Sequence, residues 1–375
     1  MSLASQEMPN SKTTQKRRGS TDGSGAHGPA QKAQRTAEKS AAGSSGSSSN
    51  AGSSSSALQQ LARLSTIVAD SADFEAIKEF SPTDATTNPT LVLQAVSNSK
   101  YKNLFQKAIN EAQEASKGKD LEATVEEAVD RVLVGFGMEL LEIIPGLVST
   151  EIPAELSFDT EGSVARARRI IELYKSKGIS KDRILIKVAA TWEGIQAAKQ
   201  LKEEGINCNI TLLFSLCQAV AASEAGAFLV SPFVGRILDW HKKANPEKDF
   251  AAAEDPGVKS VSQIYNYFKH FASKTVVMAA SFRNTDEILQ LAGCDKLTIS
   301  PKLLQQLQQM GGEVSAKLSV QSAKKQQIAK LHLDEKTFRW MLNEDAMATE
   351  KLAEGIRNFA ADMNKLKDLI RQQLQ

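Results

Sequence analysis

Histidine and cysteine are scarce in this chain of 375 residues, which holds four of the first and three of the second. The histidines stand at 27, 241, 270 and 332, none at ligand spacing from another, which argues against a His-rich metal site. The cysteines, at 208, 217 and 294, form no C-x-x-C pair. They are read as reduced thiols packed in the core of a cytoplasmic protein rather than as a disulfide framework. No apolar run reaches membrane-spanning length, and the N-terminus has no apolar core of a signal peptide, so no membrane partner is expected. A cationic excess is missing as well. The chain has net charge +2, but residues 1–57 carry seven Lys or Arg against three Asp or Glu, which leaves −2 for residues 58–375. No nucleic-acid partner is expected of such a balance.

Residues 1–57 also lack large apolar side chains. "GSSGSSSNAGSSSS" (43–56) and the Ser, Gly, Lys and Gln before it cannot bury enough surface to offset chain entropy. The segment is read as a disordered, low-complexity basic tail, and residues 58–375 as a single domain. Its "KRRGS" (16–20) is one short basic cluster, too little to define a signal.

From Leu58 onward, short apolar runs alternate with segments of helical spacing. The runs are "STIVAD" (65–70), "PTDATTNP" (82–89, the weakest), "GLVSTEIP" (146–153) and "ILIKVA" (184–189). They continue with "CNITLLF" (208–214), "AFLVSPFV" (227–234), "TVVMAASF" (275–282) and "KLTISP" (296–301). Amphipathic segments at 163–178, 192–205 and 215–226 end on glycine, as helices do. Two helices, around 91–117 and 121–145, precede the third run. Eight strands mostly followed by helices predict an α/β fold, a (β/α)8 TIM barrel with extra helices. An open doubly wound sheet is the runner-up, and no glycine-rich phosphate fingerprint follows the first strand. Leu352, Ile356, Phe359, Met363, Leu366 and Ile370 recur at steps of four and three, predicting a long C-terminal helix packed on its own subunit.

One residue breaks the pattern. Lys187 sits inside "RILIKVAATWEG", among aliphatic neighbours, where an ammonium is costly to desolvate. Taken alone, such a lysine more often snorkels to water than reacts. In a barrel, however, chemistry sits at the C-terminal ends of the strands. Those ends offer Asp70, then Thr86, Thr87 and Asn88, then Thr150 and Glu151, then Lys187. Asn209 and Thr211, Ser231 and Arg236, Ser281, Arg283 and Asn284, and Thr298 and Ser300 complete the circuit. Each has a plainer use: Asp70 and Glu151 as helix caps, Arg236 paired with Asp239 or Glu224, Arg283 covering apolar surface with its stem. Together, an amine, two carboxylates and two arginines are what Schiff-base chemistry on a sugar phosphate requires. A lysine amine attacks a ketone only when neutral, and a dry site disfavours the charged form. The Asn209-Ile210-Thr211 glycosylation sequon lies in an expected core strand and is discounted.

"VADSADF", "DATTNPTL", "VSTE", "DRILIKVAATWEGI", "CNITLLFS", "SPFVGRILDW", "EDPGVKSV" and "SFRN" closely resemble the transaldolase family across nearly all of residues 58–375. The resemblance implies a class I aldolase-type barrel that moves a dihydroxyacetone unit between sugar phosphates in the non-oxidative pentose phosphate pathway. The donor would be sedoheptulose 7-phosphate or fructose 6-phosphate, and the acceptor glyceraldehyde 3-phosphate or erythrose 4-phosphate. It implies Lys187 as the Schiff-base lysine, Asp70 as the acid and base at the C4 hydroxyl, and Glu151 acting through a water held by Thr211. Asn88 and Asn209 would hold hydroxyls of the three-carbon fragment with Ser231 nearby in the substrate site, Phe233 would line it, and Arg236, Ser281 and Arg283 would bind phosphate. No metal and no organic cofactor are implied, and the resemblance favours a homodimer. The chain departs from the family at "IPAEL" (152–156), which brings in Pro153 and Glu155, and at Ala279, where glycine is usual. Two other readings stand beside this one. A simple aldolase would cleave without an acceptor, and a non-catalytic protein would have no need of Lys187, Asp70 and Glu151 together.

Overall fold

The computed structural model describes residues 55–375. Most of the expected tail, residues 1–54, lies outside that range. Ser56 already caps a short helix, Ala57–Leu61.

All eight expected strands form, and they close into one parallel barrel in sequence order. They are β1 (Thr66–Asp70), β2 (Asp84–Thr86), β3 (Val148–Glu151) and β4 (Ile184–Ala189). β5 (Cys208–Leu213), β6 (Leu229–Pro232), β7 (Val276–Ala279) and β8 (Lys296–Ile299) follow. The open-sheet alternative is excluded because β8 pairs with β1, Val68 lying opposite Thr298. Successive side chains of a strand point to opposite faces, so residues two apart share the lumen. Val68, Leu185, Leu229 and Met278 pack together there, and Asp70, Lys187 and Ser231 stand two residues farther along β1, β4 and β6. Apolar packing thus plugs the barrel below a polar layer at its C-terminal mouth.

Helices surround the barrel where caps allow them to start. Thr191 caps Trp192–Glu203, and Ser215 with Gln218 forms a capping box on Leu216–Glu224. Gly178 and Gly226, with φ of 82° and 78°, take the left-handed turn that follows a helix. The expectation of one helix over 91–117 needs correction. The chain forms Pro89–Val96, a 3-10 turn at Ser99–Tyr101, then Lys102–Ala115. Asn98 is the cause, since its side chain accepts from the Lys100 N–H and ends the first helix locally.

The C-terminal helix, Ala346–Leu374, runs across the barrel's C-terminal side. Leu352, Ile356 and Phe359 pack with Leu212, Phe214, Phe233 and Ala280. Met363, Leu366 and Ile370 continue onto Val92, Phe105 and Val129 of the inserted helices. All six residues of the expected seam are buried, each worth about 1.5–3 kcal/mol before ordering costs. Of the departures, Pro153 immediately precedes the 3-10 turn Ala154–Phe158, Glu155 comes within 3.6 Å of Lys367, and Ala279 is accommodated in the core. Among the described residues no helix is long and apolar enough to cross a membrane.

Candidate active site

Strand register decides which polar groups meet. Glu151 lies opposite Lys187 in the β3–β4 pair, Lys187 opposite Asn209 in β4–β5, and Asp70 opposite Thr86 in β1–β2. Lys187 does not snorkel. It is 4% exposed, its Nζ donates to the Thr87 carbonyl at 3.0 Å, and it stands 3.1 Å from Glu151 Oε2. That last contact is an ion pair without hydrogen-bond alignment, because Glu151 Oε2 has no bonded partner. Thr211 Oγ1 is likewise buried with none. Burial pushes the Glu151 carboxyl above its ordinary range, while Lys187 and Arg236 pull it back.

Asp70 is half-buried at the end of β1, and its Oδ1 accepts from Thr86 Oγ1 at 2.9 Å. Thr86 Oγ1 lies 2.6 Å from Thr298 Oγ1, which joins β1, β2 and β8 in one chain of hydroxyls. Burial also raises the Asp70 carboxyl, offset first by Lys187. Neither Asp70 nor Glu151 caps a helix. Asp73 and Asp159 do that work on the helices that follow.

Asn209 is fully buried, with Nδ2 donating to Ser149 Oγ at 3.0 Å and Oδ1 accepting from Ser231 Oγ at 2.6 Å. The sequon is therefore closed to modification. Asn88 caps Pro89–Val96 through the Leu91 N–H, an anchor that fixes the residue at the rim.

Arg236, in the first turn of Gly235–Ala244, lies between two rings, 4.9 Å from that of Phe233 and 5.4 Å from that of Phe359. Burial and the neighbouring Arg283 lower its pKa. Ser281 has a left-handed φ of 61°, and its carbonyl accepts from the Gly235 N–H. A Cβ on Gly235 would stand 2.7 Å from that oxygen, so the loop approaches this helix only because residue 235 is glycine.

A cleft of about 150 Å³ brings together Asp70, Asn88, Lys187, Ser231, Phe233, Arg236 and Ser281. Glu151 and Asn209 flank Lys187 on the neighbouring strands and Thr211 lies opposite Ala189, and none of the three lines the cleft. Arg283 stands apart. It is exposed and holds Asp239 with Nη2–Oδ2 at 2.7 Å and Nε–Oδ1 at 3.2 Å, so Asp239 pairs with Arg283 and not with Arg236. Thr86 and Thr298 also line the cleft, and they were visible as strand-end residues without an assigned role. Thr90 and Leu91 line it too, and Phe359 reaches Arg236 from outside it; a helix start and a distant helix carry no strand-end signal. A larger hollow of about 840 Å³ opens at the opposite end of the barrel and contains none of these groups. Among the described residues no three His, Cys, Asp or Glu side chains cluster as a metal would require. The three cysteines are buried free thiols.

These features define a (β/α)8-barrel enzyme built around a buried amine. The chain belongs to the transaldolase/fructose-6-phosphate aldolase family, whose model matches residues 67–370. It is 56% identical over 318 residues to the transaldolases of Rattus norvegicus and Homo sapiens, covering 84% of this chain and 94% of each relative. The transaldolase of Protochlamydia amoebophila is 56% identical over 315 residues, covering 84% of this chain and 97% of that one.

Proposed function

We propose that the chain acts as a transaldolase, moving a dihydroxyacetone unit from a ketose phosphate to an aldose phosphate. The observation that carries the reading is the dry contact of Lys187 with Glu151 across the mouth from Asp70. Glu151, its carboxyl raised by burial, takes the ammonium proton and leaves a neutral amine. Lys187 Nζ then attacks the C2 carbonyl of the donor, sedoheptulose 7-phosphate or fructose 6-phosphate. The carbinolamine loses its hydroxyl as water. A water bridging Glu151 Oε2 and Thr211 Oγ1 would relay that proton, which suits two buried oxygens lacking partners. The iminium withdraws electrons, Asp70 accepts the C4 hydroxyl proton, the C3–C4 bond breaks, and the aldose phosphate departs. The enamine left on Lys187 attacks the acceptor aldehyde, glyceraldehyde 3-phosphate or erythrose 4-phosphate, and Asp70 returns the proton. Hydrolysis of the new iminium frees the product.

Asn88, Asn209 and Ser231 would hold the hydroxyls of the three-carbon fragment, against Phe233. The phosphate would sit at the start of Gly235–Ala244, held by Arg236 and Ser281, with Arg283 leaving Asp239 to join them. The family's chemistry places the enzyme in the non-oxidative pentose phosphate pathway, and we assign it to the cytoplasm. A homodimer fits the solvent-exposed Phe158 and Trp340, at 65% and 62% exposure.

The test is turnover of fructose 6-phosphate with and without erythrose 4-phosphate, alongside borohydride trapping of Lys187. Acceptor-dependent turnover with a labelled Lys187 supports transfer. Equal cleavage without acceptor marks a simple aldolase, and an unlabelled Lys187 sinks the Schiff base.

A further inference from the structure

Thr211 would hold the water of the imine-forming step in the reading above, and the backbone that aims it is unusual. Ile210 pairs with Val230 and Leu213 with Pro232, so β5 carries one more residue than β6 across this interval. The extra residue is taken up at Leu212, a non-glycine residue with a left-handed φ of 53°. Such a conformation persists only where its surroundings over-determine it. One constraint is Gln218, which is fully buried. Its Nε2 donates to the carbonyls of Ala190 at 2.9 Å and Leu212 at 3.4 Å, and its Oε1 accepts from the N–H groups of Phe214 and Ser215.

The other constraint comes from the far end of the chain. Gly355 lies inside the C-terminal helix, where glycine is a poorer helix former than alanine. A Cβ there would stand 2.6 Å from Leu212 Cδ2, within contact distance that carbon atoms do not occupy. The Leu212 side chain is 1% exposed, between that helix and Phe233, and has little room to retreat. The same Cβ would be 3.5 Å from Arg236 Nη1, an ordinary contact that leaves the phosphate end undisturbed.

We propose that Gly355 is a positioning residue: its missing side chain lets the C-terminal helix seat Leu212 in the bulge that points Thr211 Oγ1 toward Glu151. The inference rests on the role given to Thr211, and it adds a dependence of imine formation on the C-terminal helix.

Gly355→Ala should lower kcat about tenfold and slow borohydride-trappable imine formation to match, with KM for fructose 6-phosphate within twofold of the parent. Gly355→Ala/Leu212→Ala should recover kcat to within about threefold, since the smaller side chain restores the space. If Leu212→Ala does not fold, Leu212→Met offers an unbranched Cγ for the same rescue. An unchanged kcat in Gly355→Ala, a loss confined to KM, or a double variant no faster than the single would overturn the proposal. Thr211→Val is the companion measurement. If it slows imine formation while Gly355→Ala does not, the clamp is wrong and the reading of the site stands. If Thr211→Val keeps the parental rate, the role of Thr211 falls and the clamp with it.

Discussion

Replacing Lys187 by methionine removes the amine while nearly conserving volume, and its effect on stability should depend on pH. Lys187 and Glu151 are each about 5% exposed at the side chain and 3.1 Å apart. Removing one member of a buried pair leaves the other charge uncompensated, which costs about 3–5 kcal/mol. Glu151 escapes part of that cost by taking up a proton. Its folded pKa is already raised by burial, and losing Lys187 removes the main opposing influence. A carboxyl raised in the fold contributes stability that is present below its unfolded value and is lost as pH rises through the folded value. Lys187→Met should therefore be about 3–5 kcal/mol less stable than the parent at pH 8, and much closer to it at pH 5. Lys187→Met/Glu151→Gln, with no charge left to bury, should match the parent at both pH values or exceed it by about 1–4 kcal/mol. Urea unfolding followed by circular dichroism reads all three proteins. A single variant as stable as the parent at pH 8, or a double variant no better than the single, would refute the claim that this pair is dry and coupled.

Asp70→Asn should keep Lys187 trappable by borohydride while turnover falls about 10²–10⁴-fold, as for loss of a general acid and base; loss of trapping would move Asp70 to an earlier step. Phe359→Ala removes one of the two rings around Arg236, worth about 1 kcal/mol, so KM for fructose 6-phosphate should rise about fivefold. An unchanged KM would detach the C-terminal helix from phosphate binding. Glu287 is buried beneath the Ser281–Asn284 loop and accepts from the Arg283 N–H at 2.7 Å; burial, with Asp255 adding to it, pushes its pKa up to about 7. The fold therefore holds a proton on Glu287 that the unfolded chain gives up at lower pH. The stability advantage of the parent over Glu287→Gln should shrink by about 2 kcal/mol, allowing for solvent screening, as pH rises from 4.5 through 7. A constant difference across that range in urea titrations would count against it.

The barrel was legible because its signals are local. Each strand is an apolar run closed by turn residues, and even the weak "PTDATTNP" formed its three residues, Asp84–Thr86. Lys187, Asp70 and Glu151 were legible for a related reason: strand parity and position fix their direction once the barrel is granted. What escaped depends on contacts between distant segments. Nothing near Arg283 announces Asp239, 44 residues earlier in the chain, as its partner. Phe359 reads as one apolar position of an amphipathic seam, and only the path of its helix over the mouth places it against Arg236. The left-handed Leu212 is invisible locally, because leucine is among the residues least suited to that conformation. Asn98 was a missed local signal, since its side chain turns the backbone where apolar periodicity alone continued the helix.

With Arg283 in the phosphate-binding role proposed above, its fork with Asp239 would set a threshold for admission. At rest the guanidinium is already satisfied by an internal carboxylate, and a neutral sugar has no charge with which to displace it. The pair is 40% and 44% exposed, so breaking it costs about 1 kcal/mol, a toll that a dianionic phosphate recovers with two charge-assisted bonds. The internal competitor would then turn away anions too weakly charged to displace Asp239, while the sugar itself goes untested by it. Asp239→Asn should lower the KM of the phosphorylated ketose about fivefold and leave that of the unphosphorylated sugar unchanged, since only the phosphate has to break the pair.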